Sequence, residues 1–209
     1  MERITLNNLN TRTAAARAAS ALRAGGIVLY PTDTLYGLGA DAISNTAVAK
    51  IFEAKGRNER KPIHAIVADL AMARQYGEVP EIVDALVRKL PPGKITFIVK
   101  KRPKYDSGIL RGTTFGFRIP DNAFCIEMIR ALGGPITATS ANRAGEMPAT
   151  DVDGILVQLQ SEHIDVAIDN GELPVNAPST VLDLSAETPR ILREAAVTAL
   201  QIGEYVPLV

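Results

Sequence analysis

The side chains best suited to handling anions cluster at five places in this 209-residue chain. Lys55, Arg57, Arg60 and Lys61 set four cations at and just beyond the end of a helical segment, with Gly56 between the first two. An arginine fork suits bidentate contact with phosphate oxygens, a lysine acts as a movable point charge, and a glycine lets a ligand approach the backbone. The same cations on a solvated helix end would satisfy the helix dipole, and both readings stand at this point. Thr137-Ala138-Thr139-Ser140-Ala141-Asn142 runs from a strand into a loop that holds Gly145. Small hydroxyls and an amide at a strand end suit an oxyanion in a crevice, or simply a polar turn. Thr114, Gly116 and Arg118 share one face of a strand, so Thr114 and Arg118 can converge on one ligand. Pro178-Ser179-Thr180 and Arg193 add two further anion contacts.

Other chemistries fit less well. Gly37-Leu38-Gly39-Ala40-Asp41-Ala42 matches the spacing of a dinucleotide loop, but that loop must join a strand directly to a helix. Here six loop-like residues, Pro31 to Tyr36, precede the glycines and the next helix begins only near Asn45. No P-loop is present, and no G-x-S-x-G surrounds Ser140. Two histidines, His64 and His163, lie far apart with no Cys/His spacing, so no zinc site is expected. Cys125 lies among Phe124, Met128 and Ile129 on an amphipathic helix, a core position. As the single cysteine it excludes a disulfide-stapled scaffold and favours a reducing compartment.

The elements that must position these residues follow from pattern. A helix from Thr11 or Thr13 to about Leu22 is closed by Gly25-Gly26, and Ile27–Tyr30 reads as a buried strand ended by Pro31. The stretch from Pro31 to Gly39 is too rich in proline, glycine and small hydroxyls for a regular element. Asn45 caps a helix through Lys55, Ile63–Ala68 is a strand, and Pro80–Leu90 is a helix. Strands follow at Ile95–Lys101 and Thr113–Ile119, then a helix capped by Asp121 that ends at Gly133-Gly134, and a strand from Pro135. A helix over Asp151–Gln160, strands near 165–169, 180–184 and 191–193, and a terminal helix complete the chain. Without a strict βαβ period, the order predicts one α/β (α+β) domain over residues 1–209, a twisted mixed or antiparallel sheet with flanking helices.

Charge is balanced at 23 basic and 23 acidic residues, but unevenly placed. Residues 1–120 hold 19 basic and 10 acidic groups; residues 121–209 hold 4 and 13. Such a split suits a polyanion partner for the first part, or two oppositely charged solvated faces. No apolar stretch is long enough to span a bilayer and no signal-peptide pattern opens the chain, so a cytoplasmic protein is expected.

Taken in order, Tyr30–Gly39, Lys55–Arg57, Phe117–Pro120, Thr139–Gly145, Pro178–Leu184 and Arg190–Arg193 resemble the YrdC family of threonylcarbamoyl-AMP synthases, from about Ala24 to Arg193. The resemblance implies a YrdC/RibB-like fold with a concave basic face. It also implies synthesis of threonylcarbamoyl-AMP from L-threonine, bicarbonate and ATP with release of pyrophosphate. A tRNA-modifying transferase complex then passes the group to the tRNA adenosine 3′ of the anticodon. Carried over by position, Lys55 and Arg57 are catalytic. Arg57, Lys61, Thr114, Ser140, Asn142 and Arg193 bind ATP, and Thr34, Arg118 and Ser179 bind threonine, Arg118 meeting its carboxylate. Mg²⁺ comes with the ATP. The chain departs from the family pattern at Pro91-Pro92-Gly93-Lys94, at Asn58 and at Ile66, where the family's histidine is offset to His64; its length matches the short form. The competing reading is a non-catalytic module that holds tRNA or double-stranded RNA on the same basic face, aided by Lys100, Lys101, Arg102 and Lys104.

Overall fold

The computed structural model describes residues 1–7, 9–56, 62–159 and 161–207. In chain order its elements are β1 (Glu2–Thr5), α1 (Thr11–Arg23), β2 (Val28–Pro31), β3 (Tyr36–Gly39), α2 (Asn45–Lys55), β4 (His64–Ile66), α3 (Leu70–Tyr76), α4 (Ile82–Lys89), β5 (Ile95–Lys100) and β6 (Thr114–Arg118). They continue with α5 (Ala123–Leu132), β7 (Ile136–Ser140), α6 (Val152–Leu159), β8 (Val166–Asp169), β9 (Thr180–Asp183), β10 (Arg190–Arg193) and α7 (Ala199–Gly203). The strands form one mixed sheet in the order β1-β8-β2-β3-β7-β4-β6-β5-β9-β10. β1 and β10 are its edges.

Period-two alternation decides which helices cover which side. Val28 and Tyr30 pack with α1 and α5, whereas Ile27 and Leu29 pack with α2 and α6. This half of the sheet is covered on both faces, which is why β2 is apolar at every position. In the other half, Phe97, Val99, Phe115, Phe117 and Leu182 pack against α3, α4 and α7. The alternate residues of these strands, Thr96, Ile98, Thr114, Gly116 and Arg118, turn away from that core, and they are more polar.

Three local expectations are corrected. The first concerns β3, which is a fully buried interior strand paired to β2 and β7, not an irregular stretch. Its glycines are there for space: a Cβ on Gly37 would lie 2.7 Å from Tyr30 Cζ, and one on Gly39 2.7 Å from Tyr30 Cε1. The Tyr30 ring lies flat across the strand and donates its hydroxyl to the Thr137 carbonyl at 3.0 Å. Pro31 accordingly belongs to β2, paired with Tyr36. Second, α2 is capped by Ser44, whose hydroxyl accepts from Ala47 N–H at 3.3 Å; Asn45 Oδ1 accepts instead from Gly108 N–H at 2.7 Å. Third, α5 is capped by Asn122 rather than Asp121, and α1 follows Asn10. β1 and α3 carry no signal the sequence reading used: β1 is an exposed four-residue edge and α3 has seven residues.

Close approach at β3 makes a stability prediction. A Cβ on Gly39 would meet Tyr30 Cε1 at 2.7 Å and Ile136 Cγ2 at 2.9 Å. Gly39→Ala is expected to cost about 1–3 kcal/mol in urea unfolding. Gly203→Ala meets nothing within 4 Å and is expected to be neutral or mildly stabilising, by about 0.5 kcal/mol.

Candidate functional site

The uncovered face of β4, β6, β5 and β9 lines two adjoining cavities that share Pro62, Ile63 and His64 as a common wall. The smaller, of about 290 Å³, is bounded by Thr32, Thr34, Thr96, Arg118, Ser140, Ser179 and Arg193. The larger, of about 590 Å³, is bounded by Asn45, Phe52, Ile98, Ile109, Arg111, Thr114, Gly116, Asp183 and Leu192. A Cβ on Gly116 would fall 2.4 Å from His64 Cδ2, so the missing side chain gives the imidazole its place in the wall.

Arg118 is a buried and firmly held charge on the wall of the smaller cavity. It leaves an interior strand and its side chain is 9% exposed, paired with Asp33, which is 7% exposed. Nη1 donates to Asp33 Oδ1 at 2.8 Å, to Oδ2 at 3.1 Å and to the Gly93 carbonyl at 3.0 Å. Lys94 approaches Asp33 Oδ2 at 3.5 Å. Gly93, at φ 71°, is required at that point, since a Cβ would reach Asp33 Oδ2 at 2.6 Å and Asp121 N at 2.8 Å. Two cations share one carboxylate, so the cluster keeps a surplus positive charge on a fixed guanidinium that borders the smaller cavity. A buried charge pair is costly to desolvate, and it persists where its geometry is complete.

Hydroxyls and a second arginine complete the rim. Thr32 Oγ1 accepts from the N–H groups of Thr34 and Leu35 at 3.0 and 3.2 Å and lies 3.0 Å from Thr34 Oγ1, which fixes the Thr34 turn. Ser179 Oγ lies 2.8 Å from Thr96 Oγ1. Arg193 donates from Nη2 and Nε to the Ser179 carbonyl at 2.7 and 3.1 Å. Partial desolvation lowers the proton affinity of the Arg193 guanidinium, whose outer part stays exposed to solvent.

On the far side, Lys55 is buried and its ammonium donates to the carbonyls of Ser140 and Asn142, the latter at 2.7 Å. Ser140 Oγ donates to Asn142 Oδ1 at 2.5 Å, while Asn142 Nδ2 donates to the carbonyls of Arg143 and Glu146 at 2.9 and 2.6 Å. Ala144 N–H returns to the Lys55 carbonyl at 3.0 Å. The end of α2 and the turn after β7 are thus one hydrogen-bonded unit.

Of the residues singled out in the sequence, Thr34, Ser140, Ser179, Arg118 and Arg193 border the smaller cavity and Thr114 the larger. Lys55 and Asn142 stand behind the wall and hold Ser140 in place. Arg57 and Lys61 lie outside the described residues. Sequence reasoning missed Asp33, Thr96, Arg111 and Asp183; an acidic residue in a Pro-Thr-Asp-Thr loop carried no signal of a partner 85 positions away. The basic run after β5 is engaged locally: Lys101 reaches the Tyr105 carbonyl at 2.5 Å, Arg102 the Arg74 carbonyl at 2.7 Å, and Lys104 lies 4.9 Å above the Tyr105 ring. No group of three His, Cys, Asp or Glu side chains suited to a metal occurs among the described residues. No helix among them is long and apolar enough to cross a membrane.

Comparison with known proteins gives a consistent result. A family profile described as Telomere recombination, covering Sua5, YciO and YrdC, matches residues 20–195. A relative from Mycobacterium leprae is 36% identical over 197 residues, 93% of this chain and 88% of the relative. The threonylcarbamoyl-AMP synthase of Bacillus subtilis is 34% identical over 193 residues, which are 90% of this chain and 55% of that protein. Among solved structures, Pyrococcus abyssi Sua5 complexed with L-threonine superposes with a TM-score of 0.85 at 29% identity, over 100% of this chain and 60% of that one. E. coli YciO gives 0.79 at 27% identity, over 93% and 95%. The chain spans little more than half the length of the Bacillus and Pyrococcus proteins.

The buried pair yields a thermodynamic prediction. Asp33→Ala strands a desolvated guanidinium and is expected to cost about 3–5 kcal/mol in urea unfolding. Adding Arg118→Met is expected to recover much of that loss, and a double-mutant cycle measures the coupling directly.

Proposed function

Because the chain belongs to the Sua5/YciO/YrdC family, we propose that it makes threonylcarbamoyl-AMP from L-threonine, bicarbonate and ATP, releasing pyrophosphate. The product would be taken by a tRNA-modifying transferase complex in the cytoplasm. The observation that carries the proposal is the fixed Arg118 guanidinium with its surplus positive charge, set in a hydroxyl-lined cavity of amino-acid size beside a larger one.

On this reading the threonine carboxylate meets Arg118, and its polar groups meet Thr34 and Ser179. The deprotonated amine attacks the carbon of bicarbonate; an N–C bond forms, water leaves, and a carbamate results. A carbamate oxygen then attacks the α-phosphorus of ATP, the bond to the bridging oxygen breaks, and pyrophosphate departs. Negative charge gathers on phosphate oxygens, so the work asked of the protein is alignment and cationic stabilisation. Arg193 and Ser140 border the cavity where that charge develops, and Lys55 with Asn142 fixes the Ser140 turn. Arg57 and Lys61 are assigned to the ATP phosphates by the same reading. Mg²⁺ enters as part of the MgATP substrate and keeps several of its waters.

The test is pyrophosphate release from MgATP by the purified protein. Release is expected to need both threonine and bicarbonate, and Arg118→Ala is expected to lower kcat/KM for threonine by about 10²-fold or more. Release that is indifferent to threonine, or none from folded wild-type protein, sinks the proposal.

A further inference from the structure

The outer strand of the site does not run in simple register. β10 pairs with β9 so that Arg190 faces Asp183 and Ile191 faces Leu182, but Arg193, not Leu192, faces Val181. Leu192 is therefore the extra residue of a one-residue bulge. Residues opposite each other in an antiparallel pair point to the same side, and Leu182 and Ile191 both pack into the core under α3, α4 and α7. Asp183, one place along β9, borders the larger cavity on the opposite side.

An unbroken ladder would set Leu192 opposite Val181 and Arg193 opposite Thr180, facing the core. That side has no room for a guanidinium. Thr180 is fully buried, its hydroxyl donating to the Val197 carbonyl at 2.6 Å and accepting from the N–H groups of Ala195 and Val197 at 3.0 Å each. The bulge shifts Arg193 by one place onto the cavity side while Leu192 also stays there. Leu192 borders the larger cavity and Arg193 the smaller. Leu192 is 58% exposed although Ile98, Phe52 and Ile109 line the same cavity, with the polar Asn45 and Arg111 beside them. Apolar walls with a few convergent polar groups suit a flat heteroaromatic ring, and an exposed leucine at such a place gains by being covered.

We infer that the bulge at Leu192 is a positioning device for a nucleotide: it turns Arg193 toward the phosphates and leaves Leu192 as the apolar wall against which the base packs. The inference rests on the synthase reading for its ligand, ATP. Arg193 is what the bulge positions; Leu192 touches the base and sets affinity for it.

Binding of MgATP and of magnesium tripolyphosphate, which has phosphates and no base, separates the two roles in the full chain. Leu192→Ala keeps the residue count of β10 and hence the bulge. It is expected to weaken ATP binding about 10-fold and leave tripolyphosphate unchanged. Arg193→Ala is expected to weaken both. Equal losses for the two ligands in Leu192→Ala, or no loss for ATP, overturn the inference. Excising Leu192 restores a continuous ladder and is expected to reduce ATP binding at least to the Arg193→Ala level, with no further loss when Arg193→Ala is added. An excised chain that folds and binds ATP as the wild type does also overturns it; if excision prevents folding, the Leu192→Ala comparison alone decides. Wild-type protein that shows these effects but releases no pyrophosphate with threonine and bicarbonate leaves the bulge assignment standing and removes the synthase reading.

Discussion

A charge pair taken out of water organises this site. Arg118 and Asp33 are each almost fully buried, and neither charge would be tolerated there alone. Their mutual hold fixes three separate segments: the loop between β2 and β3 that carries Asp33, the turn at Gly93 that contributes a carbonyl, and the end of β6. Thr34 follows Asp33 directly, so the pair also sets where that hydroxyl stands. Lys94 keeps the cluster positive overall, so an arginine with a resident carboxylate still attracts an anion.

The rest of the architecture explains why such a site lies open. Helices cover both faces of β8, β2 and β3 but one face of β4, β6, β5 and β9. Side chains that alternate away from the single covered face, Thr96, Thr114 and Arg118 among them, have no helix to meet and are free of the demand to be apolar. Ligand contacts are then spaced by the strand geometry itself. Where the simple alternation would fail, as at Arg193, a one-residue bulge restores the required direction.

Much of this was legible in the sequence, and the reasons for the remainder are physical. The strands at 95–100 and 114–118 announce themselves through β-branched and aromatic alternation, and the shared face of Thr114 and Arg118 follows from period two. β3 was hidden because its glycines answer to the Tyr30 ring, a tertiary contact that overrides local propensity. Asp33 was hidden because its partner is remote in sequence. Lys55 was recognised as a cation of interest, but its burial beneath Ser140 and Asn142 depends on a turn far along the chain. The altered register at Leu192 leaves no trace in hydropathy at all.

The central claim is that a guanidinium already held by an internal carboxylate receives the amino-acid carboxylate. A crystal structure of this protein with L-threonine tests it most directly. The account predicts the threonine carboxylate within hydrogen-bonding distance of Arg118, about 2.7–2.9 Å, with the Asp33 contact retained. Threonine bound away from Arg118, or bound only after Arg118 has left Asp33, would contradict it.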